Sequence, residues 1–180
     1  MNFNLQPALK NEFVKIRPLQ EDEFEALYAV AADPLIWEQH PNKDRYKREV
    51  FENYFKGALE SKGAFMVLDA QTGSPIGSSR YYELDEANSS VAIGYTFLAR
   101  SHWGGKYNPA LKALMLNHAF QYVNNVIFHV GADNIRSQKA MEKLGGVKVD
   151  EIVMAYYGEP DRHNYLYCIT KEQWKKGNNE

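Results

Sequence analysis

The stretch FLARSHWGGKYNP, residues 97–109, connects a strand pattern to a helix pattern through a loop with two glycines. The run Ser90–Leu98 is typical of a strand, and the residues from Ala110 to Asn124 are typical of a helix. Asn108 is predicted to cap this helix, with Pro109 at its first position. Glycines let a backbone approach a ligand closely, and the free N–H groups of a first helical turn attract anions. This order predicts a phosphate-binding turn, although a plain turn uses the same residue types.

A second helix start combines capping and basic residues in the same way. It lies in the segment from Asp133 to Gly145 and begins with Asn134. In a chain with a net charge of −2, two basic helix starts indicate a local anion site and not a generally basic protein. The basic residues are Arg100, Lys106 and Lys112 at the first start, and Arg136, Lys139 and Lys143 at the second.

Two separated motifs follow one another in the chain. The first is Ile93-Gly94-Tyr95 followed by Trp103-Gly104 and Tyr107, and the second is Asn134-x-x-Ser137 followed by Glu142-Lys143-Leu144-Gly145. Together they resemble the GNAT superfamily of acyl-CoA-dependent N-acetyltransferases. The resemblance is nearest to the branch that includes the ribosomal-protein alanine N-acetyltransferases, and it extends from about Phe13 to Lys171.

The hydrophobic patterns predict a mixed α/β sheet with helices on its faces. The resemblance implies the GNAT form of this architecture: a mostly antiparallel twisted sheet of about seven strands, about four flanking helices, and two strands splayed at the centre. In the arm from Ile76 to Leu84, polar residues alternate onto both faces. This pattern predicts that one face of the arm lines a wet cavity.

Length and composition indicate one ordinary globular domain. The chain has 180 residues, of which 44% are hydrophobic and 24% charged. We expect a single N-acetyltransferase domain over 1–174 and a polar tail over 175–180. No signal sequence, membrane-spanning run or long basic tract is present, which favours a cytoplasmic protein without a membrane or nucleic-acid partner. Cys168 is the only cysteine, and no paired histidines occur at helical spacing, so no metal is predicted.

The resemblance implies acetyl-CoA as the cosubstrate, without a metal. Backbone N–H groups from Gly104 to Asn108 are expected to meet the pyrophosphate. Phe97 and Leu98 are expected to pair with the pantetheine arm as a neighbouring strand would. The other predicted contacts with the cosubstrate are Arg100, Trp103, Gly105, Lys106, Tyr107, Asn134, Arg136, Ser137 and Lys139.

The chain departs from the family pattern at three positions. Lys106 stands where the branch usually has a second loop glycine, and its effect on the phosphates is left open. Ala92 replaces the glutamate that serves many relatives as base, and Met141 replaces the usual tyrosine acid. Because positioning alone contributes much of the rate of acyl transfer, these losses do not exclude activity.

Ser137, Glu83 and Tyr156 remain as the predicted catalytic residues. Ser137 is expected near the thioester sulfur, although a serine at a helix start often only stabilises the helix. Glu83, His40 and Tyr156 are candidates to take the proton of the amine, directly or through water. The predicted substrate-binding residues are Trp37, His40, Tyr81 and Glu83, although packing in the core or at its rim is the better explanation for Trp37.

These observations favour an N-acetyltransferase that acts on a primary amine, either a protein or peptide N-terminus or a small molecule. The alternative is a catalytically degenerate CoA-binding regulatory module that kept the cofactor loop. A nucleotide-hydrolysing P-loop is disfavoured, because Gly104-Gly105-Lys106 lacks the longer glycine spacing and the following Ser or Thr. Exposed strands are compatible with a homodimer.

Overall fold

One twisted sheet organises the computed structural model of this protein, which describes residues 2–177. Within that range it has eight strands in the order β1-β2-β3-β4-β5-β6-β8-β7. All neighbouring strands are antiparallel except β5 and β6, which are parallel. The mixed, mostly antiparallel sheet is therefore confirmed. The strands are β1 Leu9–Lys10, β2 Val14–Pro18, β3 Ala64–Asp69, β4 Pro75–Asp85, β5 Ser90–Leu98, β6 Asn125–Gly131, β7 Val147–Ala155 and β8 Asp161–Thr170.

Five α-helices accompany the sheet in the described range. They are α1 Phe24–Ala31, α2 Arg48–Glu60, α3 Tyr107–Ala119, α4 Ile135–Lys143 and α5 Lys171–Gly177. Helix α5 contains the first part of the predicted polar tail, and residues 178–180 of that tail lie outside the described residues. Within residues 2–177, none of the helices is long and apolar enough to cross a bilayer.

Alternate side chains of β3 pack into two separate cores, one on each face of the sheet. Phe65 and Val67 join a cluster that is centred on α3, whereas Ala64 and Met66 join a cluster around α1 and α2. Successive side chains of a strand point to opposite faces, so both faces of the central sheet are covered.

The parallel strands β5 and β6 pair only at their beginnings. Their register runs from Ser90 opposite Asn125 to Ala92 opposite Ile127, and both strands continue well beyond it. On its other edge, against β4, strand β5 carries a bulge. Gly94 pairs with Arg80 and Phe97 with Ser78, so two residues of β5, Tyr95 and Thr96, lie opposite the single residue Ser79 of β4. Tyr95 has a left-handed φ of 53° there. The predicted splay of two central strands is confirmed.

The prediction that one face of the β4 arm lines a wet cavity is wrong. Ser78, Ser79 and Arg80 are all buried. The Ser78 hydroxyl donates to the Phe65 carbonyl, and the Ser79 hydroxyl bonds that of Thr96 at 2.7 Å. Polar side chains can be buried when they find hydrogen-bond partners. The alternating polar residues of β4 therefore do not indicate a solvent-exposed face.

The predicted N-cap of α3 is also wrong. The helix begins at Tyr107, Lys106 occupies the cap position, and Asn108 lies inside the first turn. Two side chains fix this earlier start: the Trp103 indole donates to the Leu98 carbonyl, and the Tyr107 hydroxyl donates to Asp69. Pro109 is still in the first turn, where its missing N–H is not needed.

Candidate active site

Two adjoining cavities lie where β5 and β6 separate. The first, which we call the cleft, has a volume of about 640 Å³ and lies between the end of β5, the start of α3 and helix α4. The second, which we call the chamber, has a volume of about 130 Å³ and lies between β5 and β6. The residues that line both cavities are His40, Thr96, Asn108, Ser137 and Ala140.

The glycine loop forms one end of the cleft. Gly104 has a φ of 70°, and a Cβ placed on Gly104 or Gly105 would have no other atom within 4 Å. Among residues 2–177, no partner is found for the backbone N–H groups from Gly104 to Asn108. Free amides at a helix start, beside an open approach to the backbone, fit a phosphate group.

Helix α4 supplies the basic side of the cleft. Lys139 and Lys143 both line it. The Arg136 guanidinium lies 4.0 Å from the centre of the Trp103 ring and donates to the Ile36 carbonyl. Burial lowers the pKa of Arg136, whose charge still faces the cleft. Lys139 and Arg136 thus lie where a phosphate contact was predicted, and the structure adds Lys143.

Three other predicted contacts direct their side chains elsewhere. Arg100 forms an ion pair with Asp33, and the Tyr107 hydroxyl donates to Asp69 at 2.8 Å. The Lys106 amine lies 5.3 Å from the centre of the Phe13 ring. None of the three is among the residues of the described chain that line the cleft, so any contact from them comes from the backbone or requires a rotation of the side chain.

Replacing Lys106 by alanine is therefore expected to change the dissociation constant for CoA by less than about twofold, because an exposed lysine that leans away contributes little. Isothermal titration calorimetry would measure the change, with Lys139→Ala as the comparison inside the cleft. A loss of affinity in Lys106→Ala that exceeds the loss in Lys139→Ala would show that the side chain swings onto the phosphates.

Ser137 lies where the two cavities meet. Asn134 caps helix α4 by accepting the Ser137 backbone N–H at 3.1 Å. No partner within the described residues engages the Ser137 hydroxyl, which leaves it free to face a ligand. Asn134 is buried and also lines the chamber. Asn134 thus both caps helix α4 and lines the chamber.

Tyr156 and His40 form further parts of the chamber wall. The Tyr156 hydroxyl donates to Asn164 Oδ1 at 2.7 Å, and burial raises its pKa. Burial, with the nearby charges of Arg45 and Arg136, lowers the pKa of His40 to about 3. His40 is therefore a neutral imidazole at physiological pH.

Glu83 does not line the chamber but lies next to His129, a lining residue that was not predicted. The Glu83 side chain is 58% exposed and lies 3.8 Å from His129 Nε2. His129 lines the chamber, and its Nδ1 lies 2.6 Å from the Tyr82 hydroxyl. Burial raises the pKa of Tyr82, so its hydroxyl keeps the proton, and the tautomer of His129 decides which of the two groups donates. Burial also lowers the pKa of His129, which the Glu83 carboxylate opposes.

Lys112 is a second unpredicted member of the chamber wall. It projects from α3, is 4% exposed, and donates to the Thr96 hydroxyl at 2.7 Å. Burial lowers the pKa of Lys112 to about 7. A lysine in the first turns of an amphipathic helix normally faces solvent. The Lys112 side chain instead enters the opening between β5 and β6.

Two predicted substrate contacts lie in the hydrophobic cores instead. Tyr81 is fully buried, packs against Phe3 and Phe65, and donates its hydroxyl to the Met115 carbonyl. Trp37 is fully buried and donates its indole N–H to the Ala31 carbonyl. Neither residue lines the cleft or the chamber in the described chain. The structure contradicts a substrate contact for Tyr81, and Trp37 is a core residue.

A model of the family described as "Acetyltransferase (GNAT) domain" matches residues 14–147. Because the match covers well over half of the chain, this protein belongs to the GNAT family of acetyltransferases. The resemblance to the GNAT superfamily, inferred from the two sequence motifs, is confirmed. No curated protein matches the chain.

Solved structures share the fold at low sequence identity. A GCN5-related N-acetyltransferase from Brucella melitensis is 16% identical with a TM-score of 0.79, over 94% of this chain and 81% of that one. RimJ from Mycobacterium smegmatis, in complex with CoA-disulfide, is 20% identical with a TM-score of 0.69, over 89% and 83%. The spermidine N-acetyltransferase from Vibrio cholerae, in complex with CoA and spermine, is 16% identical with a TM-score of 0.69, over 92% and 99%. These likenesses confirm the fold.

Proposed function

We propose that the single domain over residues 1–174 transfers the acetyl group of acetyl-CoA to a primary amine, with the cosubstrate in the cleft and the amine in the chamber. The observation that carries this proposal is the direct junction of the two cavities at the splayed strands, with a free serine hydroxyl between them. The regulatory-module alternative is less favoured, because a module that only binds CoA has no need of the second cavity.

The residues around the cleft fit CoA. The free amides from Gly104 to Asn108 would hold the diphosphate, with Lys139 and Lys143 close to the outer phosphate. On one edge of β5, Phe97 and Leu98 pair with β4. On the other edge the pairing with β6 ends at Ala92, so the backbone of Phe97 and Leu98 is not paired with β6. A pantetheine arm with amide groups can bond that open edge as an added strand does.

Acetyl-CoA supplies the acetyl group already activated as a thioester. In the transfer, the acetyl carbon exchanges its bond to sulfur for a bond to the amine nitrogen, the nitrogen loses a proton, and the sulfur takes one. We propose that the Ser137 hydroxyl gives its proton to the departing sulfur and regains one from solvent through the cleft. We further propose that His129, in the tautomer that donates its Nδ1–H to the Tyr82 hydroxyl, accepts the proton of the amine at Nε2 and passes it to Glu83, which is exposed to solvent.

Release of free thiol from acetyl-CoA in the presence of a panel of primary amines tests the proposed function. Thiol release that depends on the amine supports transfer. Tight CoA binding without turnover on any amine would instead support the regulatory module.

Replacing Ser137 by alanine is expected to lower kcat by about 10- to 100-fold, because the departing thiolate loses its proton donor. The KM for acetyl-CoA should stay nearly constant, since the hydroxyl contributes little to binding the cosubstrate. Steady-state kinetics measure both constants, and Ser101→Ala, at an exposed serine that bonds His102, serves as the control. An unchanged kcat in Ser137→Ala would remove Ser137 from the mechanism.

A further inference from the structure

Two arginines are buried beside the chamber without enough hydrogen-bond acceptors. Arg45 is 2% exposed and Arg80 is 3% exposed. Among residues 2–177, Arg45 Nη2 and Arg80 Nε are the only buried side-chain polar atoms without a hydrogen-bond partner. Folded proteins nearly always satisfy such groups, so an orphaned donor near a cavity indicates a missing acceptor.

The charges near the chamber are also unbalanced. Arg45 Nε donates to Glu159 Oε1 at 2.8 Å, which provides one buried carboxylate. Arg80 donates only to the Tyr54 carbonyl, at 3.3 Å, and no carboxylate of the described chain forms an ion pair with it. Within the described chain, Lys112 is a second buried basic group, after Arg80, without an acidic partner. A buried positive charge is costly unless an anion accompanies it.

No aspartate or glutamate of the described chain lines the chamber itself. Its titratable lining residues are His40, Arg45, Tyr95, Lys112, His129 and Tyr156. A polycation such as spermine would need carboxylates at these positions, whereas a group with negative charge would complement them.

Aromatic rings hold the two guanidinium groups in place. The carbon at the centre of the Arg45 guanidinium lies 5.5 to 5.6 Å from the ring centres of Trp37, Tyr54 and Tyr156. That of Arg80 lies 3.8 Å from the ring centre of Tyr95, which lines the chamber. The rings stabilise the positive charges but offer no acceptor in the plane of the N–H groups, so the orphaned donors remain.

We propose that the acceptor carries a carboxylate beside its primary amine, that Arg45 binds this carboxylate, and that the acceptor is therefore a small α-amino acid. This inference rests on the proposed function. The carboxylate would supply the missing acceptor for Arg45 Nη2 after a small shift of the side chain, and Arg80 would add positive potential from behind Tyr95. The chamber volume of about 130 Å³ fits an acceptor with a small side chain. The acetyl carbon then leaves the CoA sulfur for the α-nitrogen, whose proton is lost.

Matched acceptors test the inference. The values of kcat/KM would be measured for alanine, alaninamide, ethylamine and spermine, which share a primary amine and differ in charge. Alanine is expected to exceed alaninamide by about 100-fold, because the amide leaves the buried guanidinium without an anion. Equal or higher values for alaninamide, ethylamine or spermine would overturn the amino-acid assignment and leave the proposed acetyl transfer intact.

Paired substitutions locate the carboxylate. The double variant Arg45→Met with Glu159→Gln removes the buried ion pair together, so no single buried charge is left behind. Its preference for alanine over alaninamide is expected to fall to less than about threefold. The matched control is Arg48→Met with Glu25→Gln, which removes an exposed ion pair and should keep the preference. Persistence of the preference in the Arg45 double variant, with CoA affinity unchanged, would overturn the role of Arg45.

Binding of the products gives a readout that does not need turnover. In the presence of CoA, calorimetry is expected to show tighter binding of N-acetylalanine than of N-acetylalaninamide by at least about tenfold. If none of the amines is acetylated, the proposed function fails, and this comparison still decides whether the chamber recognises a carboxylate. Equal binding of the two products would overturn the inference.

Discussion

Replacing Lys112 by methionine is expected to raise the free energy of unfolding by about 3 kcal/mol at pH 6, because the substitution removes a charge that folding must bury. Burial lowers the pKa of Lys112 from its ordinary value near 10.5 to about 7. Between these values the unfolded chain binds one more proton than the folded one, so the stability of the parent rises with pH across this range. Methionine has a similar shape, and the lost hydrogen bond to Thr96 offsets about 1 kcal/mol of the gain.

The pH dependence separates this cause from simple packing. The gain should shrink by about 2 kcal/mol between pH 6 and pH 9, because the parent recovers stability as its folded-state lysine loses the proton. Urea denaturation at both pH values measures the difference. Lys106→Met, at a solvent-facing lysine of the same region, should change stability little at either pH. A gain in Lys112→Met that is identical at the two pH values would show that Lys112 carries no buried charge.

Replacing Gly104 by aspartate is expected to weaken CoA binding by about 100-fold, because a carboxylate would stand close to a diphosphate in a partly desolvated loop. The fold should tolerate the change. A Cβ at this position meets no other atom within 4 Å, and aspartate is one of the residues that accept a φ near 70°. Calorimetry with CoA measures the loss, and thermal denaturation without ligand reports on the fold.

Two controls isolate the charge from the backbone. Gly104→Asn has the same shape without the charge and should lose much less affinity. Gly73→Asp places aspartate at a φ of 74° with equally open surroundings, in the turn between β3 and β4 that lies outside both cavities, and should bind CoA as the parent does. If Gly104→Asp retains the parental affinity, the loop does not hold the diphosphate and the cosubstrate site lies elsewhere.

The regular elements could be predicted because their signals are local. Strands such as β3 and β6 follow from short apolar runs, and Asn134 was identifiable as a cap from its place before Ile135–Lys143. The start of α3 was misplaced at Asn108, because local capping preferences were overridden by the distant bond from Tyr107 to Asp69. Such a bond joins residues that only the fold brings together.

The chemistry of the chamber was less predictable for the same reason. Arg45 and Lys112 are ordinary surface residue types, and nothing in their local sequence indicates burial. His129 lies in the apolar run of β6, but that run does not show which neighbours its imidazole meets. Their environment arises from the gap between β5 and β6, where the segment before α2, helices α3 and α4 and the residue after β7 meet only in three dimensions. Ser137 was predictable, because it lies at a fixed distance from the capping Asn134 within one motif.

The bulge at Tyr95 has a consequence for the energetics of association. The left-handed backbone of Tyr95 and its hydroxyl, which accepts the Tyr157 backbone N–H at 3.3 Å, hold the strands apart through contacts within the chain itself. The slot between the strands is thus preorganised, and a ligand does not have to separate a closed sheet to enter it. Encounter by diffusion, rather than a rearrangement of the sheet, should then set the rate at which the cosubstrate arrives.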